Sequence, residues 1–408
     1  MRVPLLTWLL LLFPLTFLSA ATINVPADQP TIQDGINVAN PGDMVLVAPG
    51  TYSENINFLG KAITVKSSNG TKVTIIDGGK NAPVVTFAAG ETSKSVLQGF
   101  TLQNGSSTFN SQYDGGGIYI YSASPTVLGN VIQNNTACNA GGGIAAEFSS
   151  ARIQGNVIQN NSQSGCSGGT GGGGINIGGA GSVVVIGNHI LNNSWGSSGG
   201  GISLFAAGTP IIQNNFISRN SSSGTQGGGI WIVNNSNALI VQNLFFANTA
   251  SQGGAIYLSM PSGSTGPVLV NNTILGGNGA TQGSAVWAGG FDSQVFFYNN
   301  LLIGLSTQNA VYCDSTYSST PPVFVNNDAY SASGSGLEGT CATEQGQNGN
   351  ISADPLFVNA SKNNYQLQST SPAIDAGDNS APNIPKKDLA GKNRIVNGII
   401  DLGAYEFQ

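Results

Sequence analysis

The sequence predicts an all-β chain: a right-handed parallel β-helix, a single-stranded solenoid of about a dozen coils, with an N-terminal capping helix and a C-terminal cap. Three observations predict it. A glycine-rich tetrapeptide recurs, as Gly-Gly-Gly-Ile ending at Ile118, Ile144, Ile175, Ile202 and Ile230, then Gly-Gly-Ala-Ile256 and Gly-Ser-Ala-Val286. From Ile118 to Val286 is 168 residues in six steps, a mean period of 28. An Asn-x-apolar mark runs at the same period: Asn130, Asn156, Asn188, Asn215, Asn243, Asn272 and Asn300 each stand two residues before Ile132, Ile158, Ile190, Ile217, Phe245, Ile274 and Leu302. Finally, Cys138 and Cys166 are 28 residues apart, and so are Cys313 and Cys341.

The elements follow in order. Residues 1–21 read as a signal peptide: Arg2 is the lone charge before the apolar run Leu5 to Leu18, with small Ser19 and Ala21 at the cleavage positions. That run is too short to span a bilayer comfortably, and no later stretch is apolar for 18 residues. The mature chain is therefore expected outside the cell with no transmembrane segment. The solenoid is expected over residues 22–345. Within its start, Ile32, Ile36 and Ala39 fall at helical spacing after Pro30, and Pro41-Gly42-Asp43 turns into the strand Met44–Ala48, which predicts a short amphipathic helix over the first coil. After about residue 340 the repeat dissolves and charge density rises, and residues 346–408 are expected to form the C-terminal cap.

Within each coil the apolar residues alternate, as in Gly-Ile118-Tyr-Ile120-Tyr and Gly-Ile230-Trp-Ile232-Val, which is the period of a strand with one face buried. Runs of Gly and Asn-Asn exclude the helices that other solenoids of this period need. Coils that hydrogen-bond to one another stack like positions roughly 4.8 Å apart. The Asn column should then form a ladder of side-chain amides. Asn134 and Asn160, followed by Asn-Thr and Asn-Ser, match glycosylation sequons but are read as ladder and turn residues, because the repeat already requires them. One period separates the cysteines of each pair, so disulfides Cys138–Cys166 and Cys313–Cys341 are expected between adjacent coils.

Composition bounds the function. Charged residues are 8% of the 408 and apolar ones 40%, with 58 glycines. Low charge with that apolar share excludes disorder. A net charge of −6 leaves no basic stripe for nucleic acid.

Residues 31–58, TIQDGINVANPGDMVLVAPGTYSENINF, resemble the opening of pectin-lyase-like β-helix proteins, and the Asn- and Gly-marked coils resemble the parallel β-helix repeats of that superfamily. The series Asp354-Pro-Leu-Phe-Val, Tyr365-Gln-Leu, Ser371-Pro-Ala-Ile-Asp-Ala-Gly, Asp388-x-x-Gly-x-x-Arg394 and Asp401-Leu-Gly-Ala-Tyr-Glu406 is similar to the choice-of-anchor Q segment of exported bacterial β-helix proteins. That family often carries a sorting tail, whereas this chain stops two residues after Glu406, so release is expected over covalent anchoring. Relatives of the fold cleave, de-esterify or epimerise acidic polysaccharides, which sets the chemistries to test.

Residues 115–291 contain only Glu147, Arg152, His189 and Arg219 as ionisable acids and bases before Asp292, so no carboxylate pair is expected there for glycoside hydrolysis. A lone His cannot hold a metal, and His189 falls in a column with Val131, Val157, Phe216 and Leu244, as a spacer. Glu147 and Arg152 are expected to pair at the surface, and Asp77 to serve a turn. Asp354, Asp375, Asp378, Asp388 and Asp401 could bind calcium, though they track the terminal motif; no cofactor is expected.

With Ile118 and its equivalents inward, the next residues form an outward column: Tyr119, Ala145, Asn176, Ser203, Trp231, Tyr257 and Trp287. Tyr121, Glu147 and Phe205 face the same way two positions on. Aromatic rings in a row suit the apolar faces of sugars. The leading expectation is a secreted or surface-associated, monomeric, non-catalytic binder of a polysaccharide or cell-surface glycan through Tyr119, Tyr121, Glu147, Phe205, Trp231, Tyr257 and Trp287. The alternatives are a lyase or hydrolase of acidic polysaccharide, with a site near Glu54, Lys61, Lys66 and Asp77, and an adhesin, implied by the resemblance of Gly253-Gly-Ala-Ile256 and Phe245-x-x-Asn248 to motifs of polymorphic outer-membrane proteins, whose C-terminal barrel this sequence lacks.

Overall fold

A computed structural model describes residues 19–408 apart from 109–113, 167–168, 170, 261–264, 290–293 and 317. Most of the expected signal peptide, and Asp292, lie outside the described residues.

Among the described residues the chain winds through three long parallel sheets, with a fourth of four short strands, as a right-handed β-helix. Sheet A has twelve strands, from Thr22–Val25 to Val323–Val325; sheets B and C have eleven each, ending at Asp328–Tyr330 and Leu337–Gly339. One coil shows the path: Thr126–Leu128 lies in A, Val131–Gln133 in B and Ile144–Glu147 in C. The glycine-marked residues stand in register, Ile118 on Ile144, then Ile175, Ile202, Ile230, Ile256 and Val286. Their side chains, with Ile120, Ile132 and Ile158, fill one continuous buried core. Glycine is needed before these strands because adjacent coils touch backbone to backbone: a Cβ on Gly143 would lie 2.5 Å from the Gly174 carbonyl oxygen.

The Asn ladder forms at the turn between sheets A and B. Each Nδ2 donates to the next Oδ1, from Asn130 through Asn156, Asn188, Asn215, Asn243, Asn272 and Asn300 to Asn327 and Asn350, at 2.9–3.2 Å. It therefore runs past residue 345. A second ladder, unforeseen in the sequence, follows sheet B: Asn135, Asn161, Asn193, Asn220 and Asn248, linked at 3.0–3.1 Å. The residues before its first three members, Asn134, Asn160 and Asn192, take φ of 54–55°, which Asn tolerates better than most side chains. Each Asn-Asn doublet thus supplies a left-handed turn and then a ladder rung.

Helix α1 (Ile32–Val38) forms where expected, capped by Thr31 and packed on the first strands of sheets A and C. Ile32 and Ile36 bury completely. Glu54 accepts from the backbone N–H groups of Ile32 and Gln33, and Lys61 Nζ donates to the carbonyls of Ile36, Asn37 and Ala39. Acid at one end and base at the other suit the helix dipole. Both disulfides form, with Cα–Cα distances of 5.4 Å for Cys138–Cys166 and 5.6 Å for Cys313–Cys341.

The C-terminal segment lies along the side of the solenoid rather than only across its end. Four turn residues of successive coils hold its backbone: Gln242 donates to Lys387 O, Asn271 to Asp401 O, Asn299 to Asp378 O and Asn326 to Ala376 O. All four have φ of 49–56°, which turns their side chains outward between sheets A and B. Apolar contacts flank this seam, with Leu367 and Leu402 on Leu301 and with Ala381 on Val241 and Val270. At the heart of the segment Arg394 is fully buried, donating to the carbonyls of Asp401 and Gly403 beside Glu406.

Candidate functional site on sheet C

The outward column of sheet C has the expected register: Tyr119, Ala145, Asn176, Ser203, Trp231, Tyr257 and Trp287 pair in sequence, and Tyr312 extends it. Its exposure does not follow. Tyr257 and Trp287 are each only 6% exposed, and their rings stack at 4.5 Å and 2°. With Val233, Trp231 and Tyr312 they make a small cluster of their own. Trp231 is half-buried, its Nε1 donating to Gln226, and Tyr119 is buried. For Tyr257 and Trp287 the reason is the 28-residue repeat itself: rings one rung apart lie at stacking distance and cover one another. Tyr119, Trp231, Tyr257 and Trp287 are thus not an open platform.

The next outward column is open. Along it run Tyr121, Glu147, Gly178, Phe205 and Val233. Tyr121 and Phe205 are 41% and 37% exposed, and Phe148, at the turn toward sheet A, is 55% exposed. Gly178 leaves a gap between Glu147 and Phe205. On it sits a groove of about 690 Å³, lined by Glu147, Phe148, Asn176, Phe205, Asn235 and Asn237. That volume is within the roughly 300–1,000 Å³ of small-molecule sites. Phe148 lies flat on Gly179, where a Cβ would come within 2.7 Å of the ring. Tyr121 meets Phe148 edge-on at 5.8 Å, and Phe205 stacks on Trp231 at 6.3 Å. Tyr121, Glu147 and Phe205 are therefore brought together at an open surface.

One partner was missed. Asp114 stands close enough to Glu147 to act on its carboxyl, so sheet C does bring two acids near one another where no carboxyl pair was expected. Asp114 precedes the glycine turn of the coil before. That turn doubles back over the outer face, so that a Cβ on Gly115 would lie 3.1 Å from Ala145 N. Asn139 Nδ2 donates to Asp114 Oδ1 at 2.9 Å. Burial, and secondarily Asp114, pushes the Glu147 carboxyl up to about 7. The expected pairing with Arg152 does not form among the described residues. Arg152 lies beyond the turn on sheet A and donates to Gln154. The sequence signal for Asp114 was its place directly before Gly115, one residue outside the coil window.

The other candidates have structural partners. Glu54 and Lys61 bind opposite ends of α1, Lys66 lies on sheet A between Leu46 and Gln98, and Asp77 accepts from Gly79, Gln103 and Asn104. They form no common site. His189 stands between Val157 and Phe216 and stacks on Phe216 at 4.7 Å. Burial holds its pKa below the usual value. Asp354, Asp378 and Asp388 bond nearby backbone N–H groups, and Asp401 accepts from Asp375 N. Among the described residues no group of three or more His, Cys, Asp or Glu is placed to hold a metal. No helix among them is long and apolar enough to cross a membrane.

Comparison with known proteins agrees with this geometry at the level of fold. The family model for the right-handed β-helix region matches residues 166–302. Pectate lyase Pel9A superposes with a TM-score of 0.52 at 15% identity, covering 92% of this chain and 90% of that one. The architecture is thus a right-handed β-helix, shared with that pectate lyase at the level of fold. More distant is PfbA, a surface adhesin of Streptococcus pneumoniae, with a TM-score of 0.45 and 12% identity over 78% of this chain and 92% of that one. A pectin methylesterase crystallised with a hexasaccharide gives 0.37 and 11% over 75% and 92%. No curated protein matches the sequence.

Proposed function

We propose that this is an exported protein that binds a polysaccharide or cell-surface glycan in the sheet C groove without cleaving it. The groove carries the reading: open aromatic rings at Phe148 and Phe205 flank the amides of Asn176, Asn235 and Asn237 on a floor opened by Gly178. Aromatic faces with a few polar groups are the chemistry that sugars need. The solenoid itself is the rigid support, and the disulfides Cys138–Cys166 and Cys313–Cys341 suit an oxidising compartment.

The competing reading is hydrolysis, and the Asp114–Glu147 pair is what favours it. Glycosidases place two carboxyls on either side of the bond they cleave, whereas among the described residues Glu147 is the one acid that lines the groove, which supports binding over cleavage. A glycan array with the full chain and a Phe148→Ala/Phe205→Ala variant tests the reading. Retained binding by the wild type that the variant loses at least tenfold is expected. Release of reducing ends or unsaturated products from any polysaccharide would overturn the non-catalytic part.

A further inference from the structure

We propose that the groove selects an amine-bearing glycan, such as a glucosamine oligomer, over a uronic acid chain, with Asp114 and Glu147 as the receptor for the ammonium. The proposal rests on the glycan-binding reading above and names its ligand class. Among the described residues Glu147 is the one acid or base lining the groove, and Asp114, close enough to act on it, is a second acid nearby. No Lys, Arg or His among the described residues lines the groove to neutralise a uronate carboxylate. A third carboxylate beside two would meet like-charge repulsion in a half-buried site.

An ammonium reverses each of these terms. Placed against Glu147, it favours the ionised form of a carboxyl that burial and Asp114 otherwise hold protonated to about 7. The proton held by the pair then leaves to solvent as the cation docks, so charge balances with one proton released for one ammonium bound. Phe148 and Phe205 present faces that serve both the C–H side of a pyranose and a nearby cation. Asn235 and Asn237 line the same groove and bring polar amide side chains to its wall. Phe205 is two rungs from Glu147, so the ligand runs along the solenoid axis over Gly178.

Calorimetry on the full chain at pH 6 tests this with three probes: a glucosamine oligomer, its N-acetylated counterpart and an oligogalacturonate. The amine oligomer should bind at least tenfold tighter than the N-acetylated one, and its heat should change with the ionisation enthalpy of the buffer as a proton is released. Asp114→Asn with Glu147→Gln should bring the two affinities within about twofold and abolish the buffer dependence; the single Glu147→Gln carries the same expectation should the pair not fold. Phe205→Ala should weaken all glycans alike. Equal or tighter binding of the galacturonate, or a preference that survives the double variant, overturns the amine receptor while leaving glycan binding intact. If none of the three binds, the glycan reading falls with it.

Discussion

The Glu147 carboxyl lies within electrostatic reach of Asp114, one coil earlier, although 33 positions separate them in the chain. Burial first, and Asp114 second, raises the folded-state pKa of Glu147 to about 7 from 4.5. A carboxyl raised on folding contributes stability fully below its unfolded pKa, and loses it as pH rises through the folded value. The protein should therefore lose stability between about pH 4.5 and 7 through this group. Melting temperatures measured across that window should fall less steeply for Glu147→Gln than for the wild type; parallel curves would contradict the assignment.

Asn215 sits in the middle of the longer ladder. Its Nδ2 donates to Asn243 Oδ1 and Val185 O, and its Oδ1 accepts from the backbone N–H and the amide of Asn188. Asn215→Ala strands these buried partners, each costing about 1–3 kcal/mol. Chemical denaturation should show a loss of at least about 2 kcal/mol, against near-neutral replacement of the exposed Phe148.

The disulfides each close a span of 28 residues. Chain entropy assigns such a loop about 3.5 kcal/mol. Cys138→Ser with Cys166→Ser should lower stability by up to about that amount, and reducing agent should lower the wild type but not a variant lacking both bridges. Equal denaturation midpoints with and without reductant would show that the stacked coils alone set the stability.

Arg394 lies buried beside Glu406, with Asp388 and Asp401 also near it. Burial lowers its pKa to about 10 and raises that of Glu406 to about 7, so the site holds its charges against desolvation. Arg394→Ala leaves the acids uncompensated, at about 3–5 kcal/mol. Limited proteolysis should then cut within residues 376–404 first, with the coils surviving as a shorter fragment.

The coils were legible because the same residues recur at one spacing, and stacking converts spacing into contact. Ile118 over Ile144 and Asn130 over Asn156 need no more information than that. The second ladder is written in the doublets at Asn134, Asn160 and Asn192, but nothing in their spacing separates the turn residue from the rung that follows it. Exposure was not legible. Trp231, Tyr257 and Trp287 align as expected, yet whether aligned rings face water or one another depends on ring-to-ring packing, which periodicity does not encode. Likewise Asp114 reaches Glu147 only because the Gly115 turn folds back over the sheet, and the seating of Asp378 on Asn299 joins segments that share no pattern.

That last seam changes how the molecule comes apart. A solenoid whose coils touch only their neighbours can peel from its open end one coil at a time. Here the tail is laced across Gln242, Asn271, Asn299 and Asn326, so the final coils cannot unzip until it has been stripped from all of them. The coils from Gln242 onward should let go as a single unit with the tail.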